Sequence, residues 1–159
     1  MKNPVAAFRE ENSLTQDQLA NYAEVTRQVV TKTEAGLFDY IPPSIMRVIE
    51  AYEGAAASDR QLAYTEWIDS TLKATVNPEL FPPVGEWFAE EINSFVDWRF
   101  TVNQSVNGFC TLMKIQPIII SNYEKGKTQN LPELLKQRLR TVGVTETYIL
   151  ELERLPNHG

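Results

Sequence analysis

The chain has 159 residues, 43% hydrophobic and 23% charged, enough for one or two small cores. Its net charge of −6 argues against indiscriminate attachment to nucleic acid, which needs Lys and Arg against phosphates. One cysteine (Cys110) and one histidine (His158, beside the last residue) allow no internal disulfide, no His/Cys metal cluster and no Ser-His-Asp arrangement outside a chain end.

No apolar run approaches membrane-spanning length. The first residues, MKNPVAAFREEN, lack the apolar core and cleavage pattern of a secretory signal, so the expected location is cytoplasmic. Helical spacing dominates from there on. Val5 and Phe8 share a face of a first helix that Ser13–Leu14 break. Thr15 with Gln18 three residues on is a capping-box pattern opening a second helix, which carries Leu19 and Tyr22. A turn at Ala23–Val25 leads to Thr26, an N-cap, and to a third helix reaching about Glu34, with Gly36 as its stop. Ile41-Pro-Pro opens a fourth helix whose core face is Ile45, Val48, Ile49 and Tyr52. A fifth is expected from Ser58, again capped with Gln61 three on, burying Leu62, Trp67, Ile68 and Leu72. The stretch Ala74–Gly85, with Pro78, Pro82 and Pro83, is a natural boundary.

Beyond that boundary the pattern returns. Shifted by 90 residues, positions 5–51 align with 95–141 without a gap. Arg9 falls on Arg99, Glu34 on Glu124, Gly36 on Gly126 and Pro42 on Pro132. Phe8 meets Trp98, Leu19 meets Phe109, Ala20 meets Cys110, and Ile41, Ile45 and Ile49 meet Leu131, Leu135 and Leu139. Helices are therefore expected at about Val84–Thr101 (with Phe88, Ile92, Phe95 and Val96 at helical spacing), Val106–Met113, Gln116–Tyr123, Pro132–Thr141 and Glu146–Arg154. The three tryptophans, Trp67, Trp87 and Trp98, are core aromatics. Cys110 is a small buried thiol. Gly108 weakens its helix by up to about 1 kcal/mol. Persistent period-2 alternation is absent, so no sheet is expected.

The first copy, SLTQDQLANYAEVTRQVVTKTEAG, resembles the lambda-repressor-like (Cro/XRE) helix-turn-helix family over about Val5–Tyr52. The resemblance lies in Gln16 opening helix 2, Ala20 four residues later, Val25 closing the turn, Val30 in helix 3 and the Glu34-x-Gly36 that follows. The second copy is divergent, with Val106 in place of Gln16. The resemblance implies an all-α chain of two tandem five-helix domains, residues 1–76 and 77–159, each presenting its third helix to a DNA major groove. It implies structural pairs Arg9 with Glu34 and Arg99 with Glu124. The family's turn usually has Gly where Glu24 and Lys114 stand, so both are expected to tolerate a positive φ.

Carried to this chain, the DNA-contacting residues are Gln16, Thr26, Arg27, Gln28, Thr31 and Lys32 in the first copy. In the second they are Lys114, Gln116, Ser121 and Asn122, with Lys125 and Lys127 beside phosphates. Arg suits guanine and Gln suits adenine in two-pronged contacts. Pro117 and Ile118 make no hydrogen-bond readout; Ile118 fits a thymine methyl or a protein surface equally. From Phe8 to Glu50 the local charge is −3; from Trp98 to Arg140 it is +5. The adjacent carboxylates Glu10 and Glu11 point apart on a helix, and no phosphate loop or enzyme motif is present, so the expectation is no enzyme, no cofactor and no metal. The expected function is sequence-specific binding of double-stranded DNA, as a repressor-like transcriptional regulator of prokaryotic or phage type. A homodimer and a protein partner of the C-terminal domain are the further expected associations. The alternative is a protein-interaction module, attached to a virion or the transcription machinery, that keeps the scaffold without reading DNA.

Overall fold

The structure, a computed structural model, describes residues 2–83 and 92–157. Among them all regular structure is helical, without a strand. The chain falls into two compact units, Met1–Thr71 and Leu72–Gly159, a division five residues before the expected boundary at 76/77.

In the first unit, α1 (Pro4–Glu11) is started by Asn3, whose Oδ1 accepts from the backbone N–H of Val5 and Ala6. Pro4 sits where no N–H is needed. Val5 and Phe8 are buried on one side. α2 (Gln16–Ala23) has the full capping box: Thr15 Oγ1 accepts from Gln18 N, and Gln18 Oε1 accepts from Thr15 N at 2.8 Å. Tyr22, on its outer face, is exposed. α3 (Arg27–Glu34) follows a three-residue turn. Thr26 has the extended dihedrals of an N-cap, but its side chain makes no cap hydrogen bond, contrary to the role expected of it. α4 (Pro43–Glu53) begins with Pro43 at its first position and buries Ile45, Val48 and Ile49. Tyr52 stands at the rim instead, half exposed, with its ring edge-on to Phe8 at 5.4 Å.

After a 3-10 turn at Gly54–Ala56, α5 (Ala57–Thr75) starts one residue before the expected Ser58. Ser58 does not cap it; its hydroxyl donates to Ala55 O. Gln61 is engaged elsewhere, with its amide bracketing the backbone of Ile41 (Oε1 from N at 2.7 Å, Nε2 to O at 3.1 Å). Leu62 is 60% exposed, not buried as expected. The buried set is Tyr64, Trp67 and Ile68, with Leu72, also buried, the first residue of the second unit; Leu62 lies two residues, about 200° around the helix, from Tyr64.

In the second unit, a 3-10 turn at Pro78–Leu80 precedes α6 (Phe95–Val102), α7 (Val106–Met113), α8 (Pro117–Glu124), α9 (Glu133–Thr141) and α10 (Glu146–Arg154). α6 starts later than the expected Val84. Ser94 caps it, accepting from Asp97 N, and Ile92 and Asn93 are not helical. Phe88, Trp87 and the rest of 84–91 lie outside the described residues, as does His158.

The 90-residue shift recurs in the backbone. α7 and α8 occupy the bounds of α2 and α3 moved by 90. Thr15 and Ser105 are the matching caps. Glu24 and Lys114 hold φ of 57° and 56°, and Gly36 and Gly126 hold 79° and 76°. Burial repeats too: Ala23 with Met113, Val30 with Ile120, Thr33 with Tyr123 and Ile45 with Leu135 are all buried. Gly108 has a reason to be glycine, since a Cβ there would lie 2.5 Å from Asn103 Oδ1. Asn103 accepts from Ser105 N, replacing the contact that Gln18 makes in the first copy.

Candidate nucleic-acid interface

Each α3-type helix is fixed by the same device. Arg9 Nη2 and Nε reach the Glu34 carboxylate at 3.0–3.3 Å, and Nη1 donates to Leu14 O at 3.1 Å. Ninety residues on, Arg99 Nε and Nη2 reach Glu124 at 2.7 and 3.0 Å, and Nη1 donates to Gln104 O at 2.8 Å. The guanidinium thus ties the end of one helix to the loop after another, which two-pronged arginine geometry suits. Both pairs expected from the sequence are present.

On this frame, Thr26, Arg27, Gln28 and Thr31 stand exposed at the start and along one side of α3, with Lys32 half-buried. Thr31 Oγ1 donates back to Arg27 O at 3.1 Å. Gln16, half-buried at the first position of α2, links the pieces. Its Nε2 donates to Glu34 Oε2, and its Oε1 accepts from Arg27 Nε, each at 3.3 Å. Arg27 also faces Asp17, Nη1 to Oδ2 3.6 Å. Sequence alone does not single out Asp17, because beside a capping box it looks like ordinary helix-start chemistry. The structure therefore brings Gln16, Arg27 and Glu34 into one chain of contacts and leaves Gln28 and Thr31 on the same open face.

The second unit places its counterparts differently. Gln116 caps α8 by backbone geometry alone, Pro117 takes the first helical position and Ile118 is 59% exposed. Ser121 and Asn122 are half-buried, and Lys125 and Lys127 are exposed just past the helix. Lys114 sits at the left-handed end of α7, half-buried. Its carbonyl accepts from Arg138 Nε and Nη2 at 3.2 Å. Burial, and then the Arg138 charge, lower the Lys114 pKa. The local charge of +5 is consequently not a surface patch. Arg99 and Arg138 are buried. Lys136 is bonded to Glu153 at 2.9 Å, and Arg140 to Glu146. Lys125 and Lys127 carry positive charge into solvent just past α8.

Burial pushes the Cys110 thiol up to about 12, the direction of an inert side chain. Among the described residues no group of His, Cys, Asp and Glu could hold a metal, and no helix is long and apolar enough to cross a membrane. No family model, curated protein or solved structure matches the chain.

Proposed function

We propose that the chain is a sequence-specific double-stranded DNA-binding protein, repressor-like and of prokaryotic or phage type, built from two tandem lambda-repressor-like helix-turn-helix domains. The first domain reads the major groove through α3. One observation carries this reading: α3 presents Arg27, Gln28 and Thr31 outward, on a helix whose orientation is locked by the Arg9–Glu34 pair. A base-reading helix needs polar side chains that are accessible and a backbone that does not rock, because two-pronged contacts depend on angle. Gln16 and the start of α2 supply the phosphate contact that sets register. Paired units or a homodimer fit paired half-sites.

The test is selection of a binding site from random duplex DNA, then gel shift of parent and the Arg27→Ala/Gln28→Ala double variant. Loss of two base contacts is expected to lower preference for the selected site by about a hundredfold, at 1–3 kcal/mol per contact. A double variant that prefers the site as the parent does removes α3 as the reader.

A second reading applies to the second unit, and the exposed Ile118 beside Pro117 favours it: α8 meets a protein, with the scaffold kept and DNA reading lost. Binding of random duplex across a salt series separates the two. A DNA-binding unit loses affinity steeply as salt rises, and each of Lys125 and Lys127 changed to Ala flattens that slope by about one. A slope indifferent to both lysines leaves the protein-binding reading of this unit.

A further inference from the structure

In the first unit a line of polar contacts runs from the interior to the reading face: Arg9 to Glu34, Glu34 to Gln16, Gln16 to Arg27, Arg27 to Asp17. The repeat shows which part of it the scaffold needs. At the positions of Gln16, Asp17 and Arg27 the second unit has Val106, Asn107 and Pro117, yet Arg99 and Glu124 hold α8 by the same geometry. The outer links are therefore not part of the frame that the two units share. Their effect is on where the Arg27 guanidinium points and what it has next to it.

Asp17 lies in the first turn of α2, where the helix N-terminus favours negative charge. Its carboxylate offers Arg27 the same chemistry that a backbone phosphate would. A phosphate of arbitrary sequence can only replace one anion by another, whereas a guanine edge offers O6 and N7 as two coplanar acceptors matched to the guanidinium fork. We propose that Asp17 is a specificity-determining residue: it holds the Arg27 guanidinium back from phosphates in general and yields it to a base edge with paired acceptors. This rests on the DNA-binding reading above.

The experiment compares parent, Asp17→Asn, Arg27→Ala and the double variant on the selected duplex and on random duplex, across a salt series. Asp69→Asn, an exposed carboxylate on α5, gives the same change in net charge as a control. Asp17→Asn is expected to raise random-duplex affinity about two- to fivefold, to steepen its salt slope by about one phosphate, and to raise selected-site affinity less, so that discrimination falls. Asp69→Asn is expected to do none of this. A purely structural Asp17, stabilising α2 through its dipole, would lower thermal stability in the variant and leave the discrimination ratio unchanged; that result overturns the proposal. So does a gain in random-duplex affinity that persists undiminished in the Arg27→Ala background, which would mean simple repulsion of phosphates. A parent that binds DNA with a silent Asp17→Asn fails this inference alone. A parent that binds no duplex at any salt concentration fails the proposed function and this inference with it.

Discussion

Position 33 and its counterpart, position 123, show how the two units reach one architecture with different residues. In the first, Tyr64 from α5 donates its hydroxyl to Phe38 O at 2.8 Å, and the same oxygen lies 3.2 Å from Thr33 O. In the second, position 123 is a buried Tyr, and Asn157 after α10 donates to Tyr123 O at 2.8 Å and Thr128 O at 3.0 Å. Phe38 and Thr128 are again 90 apart. The same two carbonyls near the end of an α3-type helix face a phenol in one unit and an amide in the other, while Thr33 O and Tyr123 O each also accept from a backbone N–H, of Gly36 and of Gly126, at 3.1 Å. What is repeated is the pair of acceptor positions, 33 with 123 and 38 with 128. The side-chain donor is free to change.

The Arg/Glu pair is where the units agree most, so breaking it should have the largest effect. Arg99→Ala leaves the Glu124 carboxylate nearly buried without its partner and frees Asn103 O and Gln104 O. A loss of about 3–5 kcal/mol is expected in urea unfolding of the whole chain. Arg9→Ala, with its side chain 18% exposed against 7% for Arg99, should lose less, about 2 kcal/mol. Equal losses would mean that burial does not set the strength of these pairs.

Next in size is the phenol. Tyr64→Phe keeps the ring, tilted beside Trp67 at 6.2 Å, and removes only the hydroxyl. Thr33 O retains Asn3 Nδ2 as a donor at 3.1 Å, so the principal loss falls on Phe38 O. The expected cost is about 1–2 kcal/mol by the same measurement. A neutral outcome would show that water replaces the phenol there, and that the correspondence with Asn157 is coincidence.

Much of this frame was legible in the sequence, because the residues that build it recur in register: Arg and Glu 25 apart, the caps, the glycines and the apolar set. Three features were not, each for a physical reason. Apolar spacing reports burial rather than helicity, so Ile92 reads as helix although Ser94 caps α6 two residues later. Leu62 reads as inside because it is the more apolar residue, yet Tyr64 is the one spaced three and four residues from Trp67 and Ile68 on the buried side of α5. A count of charges assumes solvent exposure, and Arg99 and Arg138 lack it. At the candidate interface, Gln16, Arg27 and Glu34 were legible as separate residues; their linkage, and its extension to Asp17, needed the tertiary contact between the starts of α2 and α3.

The smallest expected effect concerns the turn, where the units agree in backbone but not in residue. Glu24 and Lys114 both take the left-handed conformation at the end of an α2-type helix. The turn is closed by Val25 N to Ala20 O in one unit and Ile115 N to Cys110 O in the other, each 3.0 Å. A left-handed conformation costs a residue with a Cβ about 1–2 kcal/mol. Opposite charges accept it equally, so the tertiary frame imposes the turn and neither side chain chooses it. Glu24→Gly removes the Cβ penalty and adds unfolded-chain entropy worth about 0.4–1 kcal/mol. The net expected gain is about 0.5 kcal/mol, a rise of a few degrees at most in thermal unfolding. A loss of stability would instead show that the Glu24 side chain contributes to the first unit in a way the shared backbone does not reveal.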